Sequence, residues 1–185
     1  MDIEFKNPRI YIMGGKAKHG KDTFSAYLKK EYESHGKKVL ITQLSKYIKY
    51  YAREMTGWNL TEEDKPREFL QQLGTNVIRE KLNKEDLFIT RMIEDLEIFS
   101  YFYDAIIISD ARFKKEINDI KAVYKDAIAV HVVRPDFDNG LTEEQKHHRT
   151  EIDLDDFNDF NEEVINTTFE SLEEKSGELY TKYER

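Results

Sequence analysis

Residues 15–23 read Gly-Lys-Ala-Lys-His-Gly-Lys-Asp-Thr. Glycines at 15 and 20 allow left-handed backbone turns, which can aim several amide N–H groups at one point and so cradle phosphate oxygens. Lys21 directly follows the second glycine, where an ammonium can reach a moving phosphoryl group and offset its charge. The stretch Gly15, Lys16, Ala17, Lys18, His19, Gly20, Lys21, Asp22 and Thr23 is therefore expected to bind nucleotide phosphates. Loops of this kind carry Ser or Thr after the lysine; here Asp22 stands there, and Thr23 comes one position later. Whether Thr23 meets magnesium directly or through water stays open. The plain alternative is a glycine-rich turn with solvated lysines and a solvated His19.

Such a loop needs a strand before it and a helix after it. Arg9–Met13 is a short apolar run stopped by Gly14-Gly15, which predicts a buried strand. From Asp22 to about Ser34, Phe24, Tyr27, Leu28 and Tyr32 recur at helical spacing until Gly36, and the start of that helix adds a positive dipole end to the loop. Val39–Leu44 predicts a second strand and Lys46–Met55 a helix. A polar connection leads to Pro66 in the first turn of a helix carrying Phe69, Leu70, Leu73, Val77 and Ile78, with an irregularity at Gly74. A helix over Lys84–Phe99, a strand over Ala105–Ser109, a helix over Lys114–Tyr124 and a strand over Ile128–Val133 follow. The polar stretch 136–159 precedes a short strand at Glu163–Asn166 and a closing helix at Ser171–Tyr183. Strands separated by helices predict an α/β chain with a parallel sheet and right-handed crossovers.

In open parallel sheets, ligands bind beyond the carboxyl ends of the strands. Asp110 ends one strand and is a candidate to organise magnesium-bound water, or else a helix cap. Arg112 lies at the same rim; its guanidinium suits an acceptor phosphate, the alternative being a surface pair with Glu116. Arg67, Gln71 and Thr75 recur every four residues, and Arg79 continues the stripe, so one helical face would present all four to an acceptor or to solvent. Arg134 ends the fourth strand and Arg149 lies in the polar stretch; both are candidates to swing onto the transferring phosphate. His147, His148 and Glu151 have metal-like spacing without a convincing third ligand. His131 reads as a hydrogen-bonded core residue, and the acidic run Glu151–Asp159 as a solvated segment.

The chain has 185 residues, 39% hydrophobic and 36% charged, which suits one domain with a real core and excludes wholesale disorder. It has no cysteine, so disulfides, cysteine nucleophiles and thiolate zinc sites are excluded, and a reducing compartment fits. With 37 acidic and 29 basic residues the net charge is −8, which opposes a nucleic-acid polymer as partner and favours small anions. No apolar run approaches the roughly 20 residues of a membrane helix, and MDIEFKNPR does not read as a signal peptide. A cytoplasmic protein without a membrane partner is expected.

Several ordered motifs carry a resemblance. The spelling Gly20-Lys21-Asp22-Thr23 is similar to that of P-loop kinases of small phosphorylated metabolites. Arg67-Glu68-Phe69-Leu70-Gln71-Gln72-Leu73-Gly74-Thr75 and Ile108-Ser109-Asp110-Ala111-Arg112-Phe113 resemble R-x-x-L-Q-x-L-G-T and S/T-D-V-R-F of phage-type deoxynucleoside monophosphate kinases. His148-Arg149-Thr150-Glu151 resembles that family's late H-x-x-E, and Val164-Ile165-Asn166 with the helix after it resembles its closing strand and helix. The resemblance implies one P-loop kinase domain over 1–185: a three-layer sandwich around a five-stranded parallel sheet in order 2-3-1-4-5. It also implies an acceptor-binding helical arm at 58–99 and a lid at 135–160. ATP and magnesium are the implied cofactors, and a small phosphorylated acceptor, most simply a deoxynucleoside monophosphate, the partner. The implied roles are catalysis by Lys21, Asp110, Arg112 and Arg134, and donor binding by residues 15–23 with Arg149. Arg67, Gln71, Thr75, Arg79 and Arg112 would bind the acceptor, and Thr23 and Asp110 the metal.

One segment departs from the pattern. The family often has F-A-D-P-L-K after the second strand, whereas Leu44-Ser45-Lys46-Tyr47-Ile48-Lys49 stands here. A phosphomevalonate- or dephospho-coenzyme A-like acceptor is the alternative within kinases, and a nucleotide-binding regulatory module is the alternative outside them. A homodimer stays open.

Overall fold

The computed structural model describes residues 3–184. Five strands, β1 (Arg9–Gly14), β2 (Val39–Thr42), β3 (Ala105–Ala111), β4 (Ile128–Val133) and β5 (Glu162–Ile165), form one sheet in order β2-β3-β1-β4-β5. Every neighbouring pair is parallel. This is the expected topology, and it brings the carboxyl ends of β1, β3 and β4 to one edge. The helices of the described chain are α1 (Lys21–Ser34), α2 (Lys46–Thr56), α3 (Arg67–Gln71), a π-helix (Gln72–Lys81), α4 (Leu87–Phe99), α5 (Lys114–Val123), α6 (Glu143–Lys146), α7 (Arg149–Ile152) and α8 (Phe169–Tyr183). None of the described helices is long and apolar enough to cross a membrane.

The chain divides into two units: a sheet unit, running to Gln43 and resuming at Leu96, and a helical unit, Leu44–Asp95. In the sheet unit, alternate strand residues face opposite sides. Tyr11, Met13, Ile107, Val130 and Val132 share a core with Phe24, Leu28 and Tyr32 of α1 and Leu172 and Leu179 of α8. The intervening Ile10, Ile12, Ile106, Ile108 and Ala129 are buried as well. Both sheet faces are thus dry, which is why these strands read as continuous apolar runs rather than alternating ones. Each fully buried aliphatic side chain contributes about 1.5–3 kcal/mol relative to exposure. Two phenols in this core need partners, and they find them together: the Tyr11 and Tyr32 hydroxyls lie 2.9 Å apart, and Tyr32 donates to Glu184 Oε1 at 3.0 Å.

In the helical unit, Leu73, Ile78 and Phe88 form the buried centre, against which Tyr47, Ile48, Tyr51, Phe69 and Leu87 pack. The structure corrects one reading here. The helix after Pro66 is α-helical only to Gln71; from Gln72 to Lys81 it is a π-helix, and Leu82 N still bonds to Val77 O, five residues back, at 2.9 Å. In the wider turn of a π-helix the three-to-four-residue apolar spacing fails. Val77, expected inside, is accordingly 37% exposed, while Ile78 is buried. The next helix begins at Leu87 instead of Lys84, whose N–H caps Ile78 O at 3.0 Å.

Candidate active site

β1 is the central strand, and its pairing with β3 shifts register between Ile12 and Gly14, just where the chain leaves the sheet. Gly15 (φ +136°) and Gly20 (φ +101°) take the conformations that glycine alone accommodates without strain, and Lys18 joins them at φ +61°. Gly20 is the residue before α1, so the loop amides and the helix start point into the same space. The loop is fastened to the neighbouring strand ends. His19 O accepts from Asn166 Nδ2 at 2.9 Å, and His19 Nδ1 accepts from the Arg134 backbone N–H at 3.1 Å. Burial, then the nearby Lys21 and Lys16, hold His19 below its ordinary pKa, which keeps Nδ1 available as an acceptor at neutral pH. His19 is thus a strut of the loop, which sets aside the alternative of a solvated side chain.

Lys21 opens α1, and its side chain turns inward. Nζ donates to Gly15 O at 2.8 Å and Lys16 O at 2.7 Å, and the residue is only 6% exposed. Burial, reinforced by Arg112, pushes its pKa down to about 7, against the pull of Glu151, Asp22 and Asp110. The expected loop lysine and the expected β3-end residues Asp110 and Arg112 therefore share one electrostatic neighbourhood. Asp110 lies within β3 itself, and the cap of α5 is supplied instead by Glu116. The Glu116 carboxylate accepts from the Arg112 and Phe113 backbone N–H groups at 2.8 and 3.1 Å. The Arg112 guanidinium is left to face the loop: its Nη1 lies 3.3 Å from Gly15 O and 2.9 Å from Glu151 Oε1. Asp22 accepts from Ser109 Oγ at 3.0 Å, which joins the start of α1 to β3, and Thr23 lies half-buried beside it in the first turn.

The segment after β4 is not simply solvated. Glu151 Oε2 accepts from the Ala17 amide at 2.9 Å, Asp155 pairs with Lys16, Asn139 O accepts from Lys18 Nζ at 2.8 Å, and Asp153 caps the Lys114 amide at 2.8 Å. Leu154 is buried. The acidic run reads as solvated in sequence because most of its partners, Lys16, Ala17, Arg112 and Lys114, lie far upstream. Of the two arginines expected near the donor, Arg134 rests its guanidinium 3.9 Å from the centre of the Phe137 ring. Arg149 lies over Phe113 at 5.2 Å and 3.6 Å from Asp153. His131 stacks on Phe160 with 4.5 Å between ring centres, and Glu163 lies 3.5 Å from its Nδ1.

In the helical unit, Arg67 pairs with Glu62, and Gln71 and Thr75 are half-buried. Arg79 turns back on its own helix, donating to Gly74 O at 3.1 Å with its guanidinium 5.4 Å from the Phe88 ring centre. Lys46 pairs with Asp95, which also accepts from the Tyr47 hydroxyl at 2.6 Å.

A model of the deoxynucleotide monophosphate kinase family matches residues 37–175. The chain belongs to that family. No curated protein matches the sequence. Among solved structures, it resembles a sugar kinase from a Janibacter species, determined without ligand, with a TM-score of 0.55 and 12% identity over 91% of this chain and 92% of that one. It also resembles an APS kinase from Mycobacterium tuberculosis in complex with AMPPNP and APS, with a TM-score of 0.55 and 9% identity over 96% and 98%. At these identities the likeness is one of fold.

For this deoxynucleotide monophosphate kinase family member, a phosphotransferase, the geometry has a plain chemical meaning. The Ala17 amide and Arg112 hold the Glu151 carboxylate, whose charge also acts on the inward Lys21 at the start of α1. Sequence reading missed three parts of it: Glu151 as an anion on the loop, Asn166 as a loop strut and Asp95 as the partner of Lys46. Asn166 and Glu151 carried a signal only in their motifs, and Asp95 carried none.

Proposed function

We propose that this kinase transfers the γ-phosphoryl group of ATP to a phosphate oxygen of a deoxynucleoside monophosphate, breaking the bond to the donor's β,γ-bridging oxygen and releasing ADP and the deoxynucleoside diphosphate. The observation that carries the reading is that the Ala17 amide and Arg112 together bind one anionic group, Glu151, whose charge also acts on Lys21 at the start of α1. The family match supports the acceptor class. Such a reaction asks little covalent work of the protein; it asks for two phosphates in line, positive charge spread over them and water kept out.

In this reading Lys21 leaves the Gly15 and Lys16 carbonyls for the donor's phosphate oxygens, and the amides of residues 15–20 hold the rest of the triphosphate. Arg112 presents two N–H groups to the phosphates. Arg67 and Gln71, in the arm expected at 58–99, hold the acceptor. Thr75 lies on the same segment, and Arg79 supports that segment through Gly74. Arg134 and Arg149, with the segment 135–160, cover the reacting groups. The site also suits magnesium: Asp22, Asp110 and Thr23 are hard oxygen donors grouped near Lys21. Among the described residues no group of three or more histidine, cysteine, aspartate or glutamate side chains could hold a metal ion. When bound, magnesium would offset charge on the donor's phosphates. Lys46 does not stand as a lone cation, because Asp95 neutralises it, and this keeps a nucleotide acceptor ahead of a non-nucleotide one.

The test is coupled ADP release from the purified protein with Mg-ATP against dTMP, dGMP, dCMP, dAMP and their ribose forms. Turnover on one or two acceptors, lost in Lys21→Ala, is the expected result. Silence on the whole panel while ATP still binds would reject the nucleotide acceptor.

A further inference from the structure

The proposed function leaves Glu151 unused, yet its carboxylate is bound directly to a backbone amide of the loop. Its side chain is 9% exposed. One oxygen takes the Ala17 amide at 2.9 Å and the other takes Arg112 Nη1 at 2.9 Å, and its charge acts on Lys21. These three groups are the ones a nucleotide phosphate would need. The neighbouring lysines of the loop are engaged in the same way: Lys16 by Asp155 and Lys18 by the Asn139 carbonyl.

We propose that Glu151 is an internal stand-in for the donor's phosphate: it holds the Ala17 amide and Arg112 in the nucleotide-free protein and must leave before the triphosphate can settle. The argument is one of satisfied partners. A half-buried loop amide and guanidinium are costly to leave without an anion, and charge-assisted bonds to a nearly dry carboxylate are strong. A phosphate oxygen offers both groups the same chemistry, so the two anions exclude each other. Glu151 sits on α7, a four-residue helix within a segment tied to the loop and to α5 by side chains of Asp153 and Asp155 and by a carbonyl. Displacing its carboxylate therefore means loosening that segment. Nucleotide affinity then carries a penalty set by the fraction of molecules in which Glu151 has let go.

This inference rests on the reading of residues 15–23 as the donor site, and the experiment separates the two. Mg-ATP and inorganic pyrophosphate are titrated calorimetrically into the full chain as wild type, Glu151→Gln and Lys21→Ala. The Gln variant should bind both ligands roughly 10-fold more tightly than wild type, as expected if about a tenth of the wild-type molecules have Glu151 released. Lys21→Ala should bind them weakly. Equal or weaker binding by Glu151→Gln, with wild type binding normally, overturns the surrogate role alone. Absence of binding by wild type and Gln variant alike overturns the donor-site reading and the surrogate with it. A second measurement needs no variant. With a fluorescent ATP analogue in stopped flow, the observed binding rate of wild type should level off with concentration, limited by Glu151 release. A linear rise across the whole range overturns the proposal.

Discussion

A Cβ on Gly15 would stand 2.4 Å from the carbonyl oxygen of Val132, so the phosphate loop passes directly against the backbone of β4. The obstacle is main chain, which cannot swing aside as a side chain does, and Gly15 also sits at φ +136°. Gly15→Ala is expected to destabilise the fold by about 2–4 kcal/mol, combining strain with displacement of β4. Urea denaturation measures the loss, and nucleotide titration of the folded fraction should detect weakened binding.

Lys21 predicts a dependence on pH. Its pKa falls from 10.5 to about 7 on folding, so between those values the unfolded chain holds a proton that the folded one has released. Stability contributed through this group therefore rises as pH increases from about 7 towards 10.5, and is lowest below pH 7, where a buried ammonium must be tolerated. Urea denaturation of wild type and Lys21→Met at pH 6.5, 8 and 9 should give a difference that favours the variant at the lowest pH and shrinks upward. Phosphates favour the ammonium, so ATP binding at pH 8 should take up protons, measured as a binding heat that varies with the ionisation enthalpy of the buffer.

The paired phenols in the core are not equivalent. Tyr32 donates to Glu184, which leaves Tyr11 to donate to Tyr32. Tyr11→Phe removes one donor and leaves Tyr32 still bonded. Tyr32→Phe strands the Tyr11 hydroxyl in a fully buried position and costs more, about 2–3 kcal/mol against about 1. Thermal unfolding of the two variants should rank them in that order.

Glu116 is 4% exposed and holds the first amides of α5, including that of Arg112. Glu116→Ala removes the cap, with an expected loss of about 1–2 kcal/mol by chemical denaturation. Arg112 loses its anchor as well, so steady-state assays should register a larger change in kcat/KM than a cap variant at α8, such as Thr168→Ala, of similar stability.

Much of this architecture is local, and for that reason legible. A strand, two glycines, a lysine and a helix lie within some two dozen consecutive residues, and the sheet order follows once the resemblance at Arg67–Thr75 and Ile108–Phe113 is recognised. What resisted reading depends on partners or on hydrogen-bond register. Glu151 looks like one acid among many until the fold brings Ala17 and Arg112 to it. Lys46 reads as a lost carboxylate, but Asp95 of α4 supplies one from another helix. Phe69, Leu70, Leu73 and Val77 follow α-helical spacing, so the sequence pattern does not announce the change at Gln72. Arg112 was paired in sequence with Glu116 at i,i+4, and the two do meet, but through the arginine's backbone, which frees the guanidinium for the loop.

The packing of α8 on α1 has a consequence for how the protein is made. Phe24, Leu28 and Tyr32 share their core with Leu172 and Leu179, elements from opposite ends of the sequence. A ribosome delivers the loop and α1 well before α8, so the apolar face of α1 must wait while the intervening strands and helices are made before its permanent cover arrives. During that interval the nascent chain carries the loop on a helix that is not yet buried. Nucleotide binding, if the loop before α1 performs it as proposed, should therefore be acquired only once α8 has emerged, although that loop is translated well before it.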